Sequence, residues 1–279
     1  MYRAKEDGVG YMVFEPKMYE QALKRSKVEN DMRRAIEAEE FVVHYQPIVD
    51  LKTGEAWGSE ALVRWEHPER GLLDPSQFVP VAEETGLIVP LGERVIEQAC
   101  RQAVKWHRKP PKVNPPVVCV NLSAKQLRRQ DLAETVERVL RRTGLEGACL
   151  CLDITETLYV TILESNATVL DDLKRMGVRI SIDDFGMGYS SLSYLKRLPA
   201  DTLKIDKSFV AGLGEDVQDT AIVRMLVDLA HTLGMKIVAE GVESEEQAEQ
   251  LNEMGCDLAQ GFYFAEPLPV EEATGFLSR

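Results

Sequence analysis

Eight side chains that could take part in acid, base or metal chemistry stand at or near the ends of short apolar runs in this sequence. They are Glu60, Asn121, Asp153, Asp183, Asp184, Lys204, Glu240 and Gln260. Each one taken alone is explained more simply by a helix cap or an ion pair. Together they include five carboxylates and a single lysine. Because buried carboxylates repel one another and cost several kcal/mol without compensating cations, the set predicts bound divalent metal ions.

The ligand types indicate which ions and which reaction to expect. An all-oxygen set of Asp, Glu and Asn favours Mg²⁺, Mn²⁺ or Ca²⁺ over zinc. The adjacent pair Asp183 and Asp184 suits a site with two metals, since one carboxylate can bridge both ions while the next reaches the second. The four histidines have no paired spacing, and no serine or cysteine lies in a nucleophile-elbow pattern. The reaction class that follows is metal-assisted phosphodiester hydrolysis.

The elements that must position these side chains are short apolar strands separated by helix-length segments. The predicted strands are Phe41–Pro47, Gly58–Trp65, Val117–Leu122, Cys149–Thr155, Val178–Asp183, Thr202–Ile205, Ile237–Val242 and Leu258–Phe264. The clearest predicted helices are Val95–Trp106, Asp131–Arg142, Asn166–Met176, Thr220–Leu233 and Ser244–Met254. The last four helices are followed by glycines suited to a left-handed helix end, namely Gly144, Gly177, Gly234 and Gly255.

This alternation of strands and helices predicts an α/β barrel. A doubly wound open sheet would alternate in the same way, but no G-x-G-x-x-G turn follows an early strand. In a barrel the catalytic groups gather at the C-terminal ends of the strands, so the eight side chains would meet at one mouth.

The N-terminal part of the chain is organised differently. Residues 17–40 carry apolar residues at near-helical spacing among many charges, which predicts an amphipathic linker helix before a barrel over residues 41–279. Residues 1–16 hold two glycines and one apolar run. That is enough for a turn and a short strand but too little to fold alone.

Composition disfavours several other classes of function. A formal net charge of −13 argues against a surface that wraps nucleic acid. The five cysteines form no C-x-x-C pair, and Cys149 and Cys151 fall on one face of a predicted strand, so core packing is expected for the thiols. No apolar run reaches the roughly 18 residues of a membrane span, and no signal peptide is evident. We therefore expect a cytoplasmic protein.

Seven blocks of sequence, in order, resemble EAL-domain cyclic di-GMP phosphodiesterases. Glu60-Ala61-Leu62, within HYQPIVDLKTGEAWGSEALVRW, is similar to the signature after which the family is named. The other blocks are FVPVAEETGLI, VNLSAKQL, LDITET, SIDDFGMGYSSLSYLKRLPADTLKID, KIVAEGVE and AQGFYFAEPLP. The resemblance covers about residue 28 to the C-terminus.

The resemblance implies a modified TIM-type (β/α)8 barrel, often dimeric, that uses two Mg²⁺ or Mn²⁺ ions to open cyclic di-GMP to linear pGpG. The implied ligands of the first ion are Glu60, Asn121, Asp153 and Asp183, and those of the second are Asp183, Asp184 and Glu240. The implied catalytic residues are Lys204, which would touch the attacking water, together with Glu60, Glu240 and Gln260.

Other residues are implied to seat the dinucleotide or to support the site. The dinucleotide would contact Gln46, Leu62, Arg64 and Gln260, and the supporting residues would be Glu156, Asp206 and Glu243. The segment Phe185–Leu192 is similar to the family's mobile loop beside the metals. Residues 1–16 resemble the closing end of a GGDEF cyclase domain, which implies upstream GGDEF and sensory domains in a longer parent protein.

Three positions depart from the family pattern. Asp153 stands where glutamate is usual, one methylene shorter, so we expect weaker or water-mediated metal ligation. Met187 replaces the usual threonine of the mobile loop, and Glu266 stands where lysine or arginine is frequent. An active phosphodiesterase is therefore one hypothesis, and a weakly active or inactive module that senses cyclic di-GMP or binds a partner is another. A barrel enzyme that acts on a different phosphodiester is the third.

Overall fold

The structure, a computed structural model, describes residues 16–108, 116–164, 168–186 and 200–278. The strands are β1 (Phe41–Asp50), β2 (Ala56–His67), β3 (Gly71–Leu73), β4 (Val117–Asn121), β5 (Leu150–Thr155), β6 (Arg179–Phe185), β7 (Thr202–Ile205), β8 (Lys236–Ala239) and β9 (Leu258–Ala259). The α-helices are α1 (Pro16–Ala38), α2 (Val79–Thr85), α3 (Ile88–His107), α4 (Ala124–Leu127), α5 (Leu132–Thr143), α6 (Glu156–Glu164), α7 (Val169–Arg175), α8 (Lys207–Ala211), α9 (Val217–Thr232), α10 (Glu245–Glu253) and α11 (Val270–Leu277). Among the described residues, every helix is too short or too polar to cross a membrane.

Eight of these strands close into a barrel. Their order around it is β1, β9, β8, β7, β6, β5, β4 and β2, and β2 pairs with β1 to close the ring. Strands β2 and β4 to β9 pair in parallel, whereas β1 runs antiparallel to both of its neighbours. The predicted modified TIM-type barrel is confirmed, and the inverted first strand is what distinguishes it from a regular (β/α)8 barrel. The short β3, which was not predicted, pairs antiparallel with the end of β2.

Side chains alternate between the two faces of the barrel wall because successive residues of a strand point in opposite directions. The outward-facing apolar residues pack under the helices in a large outer core, to which Leu152 and Ile154 of β5 belong. A smaller apolar group fills the lower interior of the barrel, and we call it the inner cluster. Its buried members are Ile48, Val117, Cys119, Cys151, Val238 and Leu258.

Local sequence explains where several helices start and stop. Ser244 and Gln247 form a capping box at the start of α10, and Asp216 accepts backbone hydrogen bonds at the start of α9. The glycines predicted to end helices do so, since Gly144, Gly177, Gly234 and Gly255 all have positive φ. The chain leaves each of these helices at the glycine and continues toward the next strand.

The N-terminal helix α1 agrees closely with the helix predicted over residues 17–40. It ends before Glu39, whose φ of 60° leaves the helical region. Met32 is fully buried, and the indole nitrogen of Trp65 donates to Glu40 at 3.0 Å, just beyond the helix. Residues 1–15 lie outside the described residues, so the predicted GGDEF remnant stays a prediction.

Two element boundaries were wrong in ways that have a clear physical cause. Cys149 does not begin a strand, because residues Gly147–Cys149 form a 3₁₀ turn in which its N–H donates to Glu146 at 2.9 Å. Cys149 and Cys151 therefore do not share a face: the first packs in the outer core and the second in the inner cluster. The last barrel strand ends at Ala259, because Phe264 and Ala265 turn back to bond the Gly261 carbonyl.

The other two misplaced boundaries are simpler. Strand β8 stops at Ala239, one residue before Glu240, and helix α3 begins at Ile88 rather than near Val95. Of the predicted mobile loop Phe185–Leu192, only Phe185 and Gly186 are described, so Met187 lies outside the described residues.

Candidate active site at the barrel mouth

A buried lysine lies at the centre of the barrel mouth. Lys204 projects inward from β7 with only 1% of its surface exposed. Four carboxylates surround its Nζ atom, with N–O distances of 2.5 Å to Glu240, 3.1 Å to Asp153, 3.5 Å to Glu60 and 3.7 Å to Asp183. We call this group the Lys204 centre. Five of the residues predicted to meet at one mouth are therefore in contact there.

Glu60 connects the Lys204 centre to the amides on either side of it. Its Oε1 accepts from Asn121 Nδ2 at 2.5 Å, and its Oε2 accepts from Gln260 Nε2 at 2.7 Å. The same Gln260 nitrogen donates to Gln46 Oε1 at 2.8 Å, and Gln46 Nε2 donates to the Ala265 carbonyl at 3.0 Å. Gln46, Asn121 and Gln260 thus belong to the network that surrounds the lysine.

Strand register explains why residues so distant in sequence meet. Asn121 of β4 lies beside Asp153 of β5, and Thr155 of β5 lies beside Asp183 of β6. Interior positions near the C-terminal ends of parallel strands point to the same end of the barrel. Asp184 follows with φ of 54°, a left-handed conformation that Asp tolerates better than most residues, and its N–H donates to Asp183 Oδ1 at 2.9 Å.

Among the described residues, the four carboxylates of this centre share a single cation, the Lys204 ammonium. Burial, together with nearby carboxylates, raises the pKa of Asp153 to about 7 and that of Glu240 to about 8, although the Lys204 ammonium opposes both shifts. Burial alone would also raise the pKa of Glu60, but Lys204 and the amides of Gln260 and Asn121 hold it below its ordinary value.

For Lys204, the charges of its neighbours outweigh the effect of burial on its pKa. Burial would lower its pKa, yet the surrounding carboxylates, Asp153 first and Glu240 second, hold it well above the usual range. At Asp184, partial burial and the charge of Asp183 raise the pKa. One ammonium therefore cannot keep every carboxylate of the mouth ionised at neutral pH.

The mouth residues fit a pair of hard divalent cations on the chemistry of their donor atoms. Glu60, Asn121, Asp153, Asp183, Asp184 and Glu240 offer oxygen ligands alone, the set preferred by Mg²⁺ and Mn²⁺. The Oε1 atom of Gln260 is buried without a hydrogen-bond partner among the described residues. Additional positive charge would lower the raised pKa values of these carboxylates. They would then be ionised, as metal ligands are.

Sequence reasoning missed one group of possible ligands below the mouth. Cys119, Cys151 and Asp153 are all buried, and one ligand atom from each lies within 4.8 Å of the other two. The thiols had been predicted only to pack in the core. A usable signal was present, because Cys119 precedes Asn121 and Cys151 precedes Asp153 by two residues, which places each thiol on the same strand face as a predicted ligand.

Two residues predicted to contact the dinucleotide, Leu62 and Arg64, follow Glu60 along β2. Arg64 donates from Nη1 to the Val63 carbonyl at 3.0 Å, and its Nε lies 3.3 Å from Asp74. Leu62 is half-buried on the same strand. The substrate contacts predicted for both residues stay predictions.

The supporting residues have clearer structural partners. Glu156 Oε2 accepts from the Gly186 N–H at 3.0 Å, which ties the end of β6 to the start of α6. Asp206 caps α8 by accepting from the Ser208 N–H at 2.9 Å. Glu243 is exposed and donates its own N–H to Gln247, while Glu266 is also exposed.

Comparison with known proteins gives consistent matches over nearly the whole chain. The EAL domain family matches residues 29–267. The bifunctional diguanylate cyclase/cyclic di-GMP phosphodiesterase MucR of Pseudomonas aeruginosa is 47% identical over 277 residues, 98% of this chain and 40% of MucR. The cyclic di-GMP phosphodiesterase PdeR of Escherichia coli is 39% identical over 270 residues, 96% of this chain and 40% of PdeR.

A solved structure matches as well. The PaMucR phosphodiesterase in its c-di-GMP complex superposes with a TM-score of 0.84 and 47% sequence identity, over 88% of this chain and 99% of that chain. The chain thus spans 40% of the length of MucR and of PdeR.

Proposed function

This chain belongs to the EAL domain family, and from that premise we propose that it hydrolyses cyclic di-GMP to linear pGpG at the barrel mouth. The observation that carries the proposal is the Lys204 centre, where four carboxylates surround one buried ammonium. An anionic phosphodiester could approach such a centre only after further positive charge had been added. Divalent metal ions are the simplest source of that charge.

The proposed cofactors are two Mg²⁺ or Mn²⁺ ions. Glu60, Asn121, Asp153 and Asp183 would hold the first, and Asp183, Asp184 and Glu240 would hold the second. When bound, the ions would supply Lewis acidity, which lowers the pKa of water and neutralises charge on the phosphoryl oxygens.

The chain's own residues would then orient the reactants. Lys204 would donate a hydrogen bond to the attacking water and hold it in line with the leaving 3′ oxygen. Glu240, whose Oε1 lies 2.5 Å from Lys204 Nζ, would accept a proton. Glu60 fixes the amides of Asn121 and Gln260, so that they present fixed dipoles to the mouth.

Substrate binding would use the side of the mouth near β1 and β2. Gln46 and Gln260 are hydrogen-bonded to each other there, and Leu62 and Arg64 lie on β2. We propose that these four residues seat the dinucleotide. A homodimer, and upstream GGDEF and sensory domains in a longer cytoplasmic parent protein, are further proposals.

A binding module without turnover is the competing proposal, and one observation favours it. The side chain of Asp153 is completely buried, whereas those of Glu60, Asp183 and Glu240 are 8%, 15% and 20% exposed. The shorter carboxylate therefore lies deeper than its neighbours. Weaker metal binding would leave a site that holds cyclic di-GMP without cleaving it.

The deciding experiment is incubation with cyclic di-GMP and Mg²⁺ or Mn²⁺, followed by chromatography for pGpG. We expect product with either ion, none after EDTA treatment, and recovery when the ion is restored in excess. Ca²⁺ should inhibit, because its longer and looser coordination would misplace the water. Binding of cyclic di-GMP without product would favour the sensor, and full activity in EDTA would exclude the two-metal mechanism.

A further inference from the structure

Directly below the Lys204 centre, three buried side chains on two adjacent strands face one another. Cys119 of β4 and Cys151 of β5 are register partners, and Asp153 is the next interior residue along β5. Their two sulfur atoms and one Asp153 oxygen all lie within 4.8 Å of one another. The distance from Cys151 Sγ to Asp153 Oδ1 is 3.8 Å. We call these three residues the thiol cluster.

These spacings are close to those that a tetrahedral metal ion requires. Two sulfurs bound at about 2.3 Å to such an ion lie roughly 3.8 Å apart, and a bound sulfur and oxygen lie about 3.5 Å apart. The observed 3.8 Å between Cys151 Sγ and Asp153 Oδ1 needs only a small closing movement. Side-chain torsions can supply that movement without a change in the strands.

A fourth polar group is available beside the cluster. Ser181 of β6 is the register partner of Asp153, and its neighbours Ile180 and Ile182 face the outer core, so its side chain faces the interior. Ser181 is 1% exposed, and its Oγ has no hydrogen-bond partner among the described residues. A buried hydroxyl without a partner is costly, and a bound ion or its water would satisfy this one.

We propose that the thiol cluster is a second cation site, which takes a thiophilic divalent ion of the Zn²⁺ or Cd²⁺ class. Two sulfurs and one carboxylate prefer such ions, whereas the oxygen ligands of the mouth prefer Mg²⁺ and Mn²⁺. A bound cation also deprotonates the thiols that ligate it. The two sites share Asp153, because its Oδ2 contacts Lys204 Nζ at 3.1 Å while its Oδ1 faces Cys151.

The test is a titration of the full chain with Cd²⁺ in excess Mg²⁺, read by the ultraviolet charge-transfer band of cadmium–thiolate bonds. This readout needs no turnover and does not respond to oxygen ligands, so it is independent of the proposed hydrolysis. We expect a saturable band with one Cd²⁺ per chain. Cys119→Ala and Cys151→Ala should each weaken binding at least about tenfold, and the double variant should abolish the band.

Two further variants make the result specific. Cys256→Ala is the matched control, because Cys256 is equally buried but its Sγ lies near the Ile237 and Leu258 carbonyl oxygens, so the band should be unchanged. Asp153→Asn should keep the band but weaken Cd²⁺ binding. No band in the parent, a band that survives in the double variant, or unchanged affinity in Asp153→Asn would each overturn the three-ligand site. If the double alanine variant does not fold, the double serine variant replaces it under the same criteria.

Discussion

The two ends of the barrel interior are built from the same strands in opposite ways. At the mouth, four carboxylates lie within 3.7 Å of Lys204 Nζ. At the lower end, Ile48, Val117, Val238 and Leu258 pack as an apolar plug with no charge among them. Lys204 of β7 pairs with Val238 of β8. A residue of the charged mouth and a residue of the apolar plug therefore lie side by side on adjacent strands.

This difference shows where the fold accepts an electrostatic cost. Like charges brought together in a desolvated mouth destabilise the folded state, as the raised pKa values of Asp153 and Glu240 indicate. The inner cluster and the outer core have no such conflict and supply burial free energy. We infer that the mouth is maintained for function and the lower end for stability, and the following predictions test that division.

The largest effect is expected on removal of Lys204, the buried cation at the centre of the mouth. Lys204→Met removes the ammonium that the four surrounding carboxylates share, and breaking a buried ion pair in this way costs about 3–5 kcal/mol. Urea denaturation in EDTA at pH 7 should show the loss. The matched control is Lys174→Met, which removes a partly exposed pair with Asp201 and should cost about 1 kcal/mol or less. Equal stability of the Lys204 and Lys174 variants would contradict the division.

The next effect concerns turnover rather than stability. Glu60→Gln removes the charge of a proposed metal ligand while keeping its shape, so we expect hydrolysis of cyclic di-GMP to fall at least about 100-fold. Glu66→Gln, at an exposed position of the same strand, is the control and should keep the parent rate. An unchanged rate in Glu60→Gln would remove this residue from the ligand set.

At Asp153, where this chain departs from its family, restoring the usual residue should give a smaller effect, and that effect should be a gain in metal affinity. Asp153→Glu restores the longer carboxylate, and we expect the Mg²⁺ or Mn²⁺ concentration for half-maximal activity to fall about tenfold, equivalent to about 1.4 kcal/mol. Asp153→Ala should cost far more. If Asp153→Glu leaves the metal titration unchanged and Asp153→Ala keeps the parent rate, the carboxylate is not a metal ligand.

The raised pKa values also predict how stability depends on pH in the metal-free protein. Asp153 and Glu240 titrate at about 7 and about 8 when folded, above their ordinary values of 3.8 and 4.5. Between those values these two groups bind more protons in the folded state than in the unfolded state, so their contribution to the free energy of unfolding falls as pH rises from about 4 to about 8.

Removing one of these groups should flatten that slope. Asp153→Asn should reduce it by as much as about 1.4 kcal/mol per pH unit, while Asp228→Asn, at an exposed helix position, should not change it. The measurement is urea denaturation in EDTA at several pH values. A parent protein whose stability rises steadily across this range would show that the mouth carboxylates are ionised in the folded state.

Sequence reasoning reached the mouth more easily than the rest of the interior. The alternation of strand and helix, together with polar residues at strand ends, was sufficient to predict the barrel and the convergence of Glu60, Asp153, Asp183, Lys204 and Glu240. These predictions needed only strand polarity, which the barrel architecture fixes.

What could not be predicted depends on lateral register and on turns. The two-residue spacing of each thiol from a predicted ligand indicates which strand face it shares, but not that the two thiols are neighbours. That requires Cys119 to pair with Cys151 across β4 and β5, and no pattern within either strand specifies this alignment. Cys149 was misplaced because a 3₁₀ turn replaced the first residue of a strand. The contact of Arg64 with Asp74 likewise depends on β3, a strand of three residues with too little periodicity to detect.

The smallest predicted effect lies at the lower end of the barrel and completes the comparison. Ile48 is 1% exposed within the inner cluster, and Ile48→Val removes one buried methyl group, which should cost about 0.5–1.5 kcal/mol of stability. Turnover should stay at the parent value, because Ile48 belongs to the apolar plug and not to the Lys204 centre. Urea denaturation and the pGpG assay on the same preparation measure both quantities.

Ile48→Val should therefore lose stability and keep its activity, whereas Glu60→Gln should lose activity with little loss of stability. A drop in turnover beyond about twofold in the Ile48 variant, with the folded fraction unchanged, would mean that packing below the mouth sets its geometry, and the division between the two ends would fail.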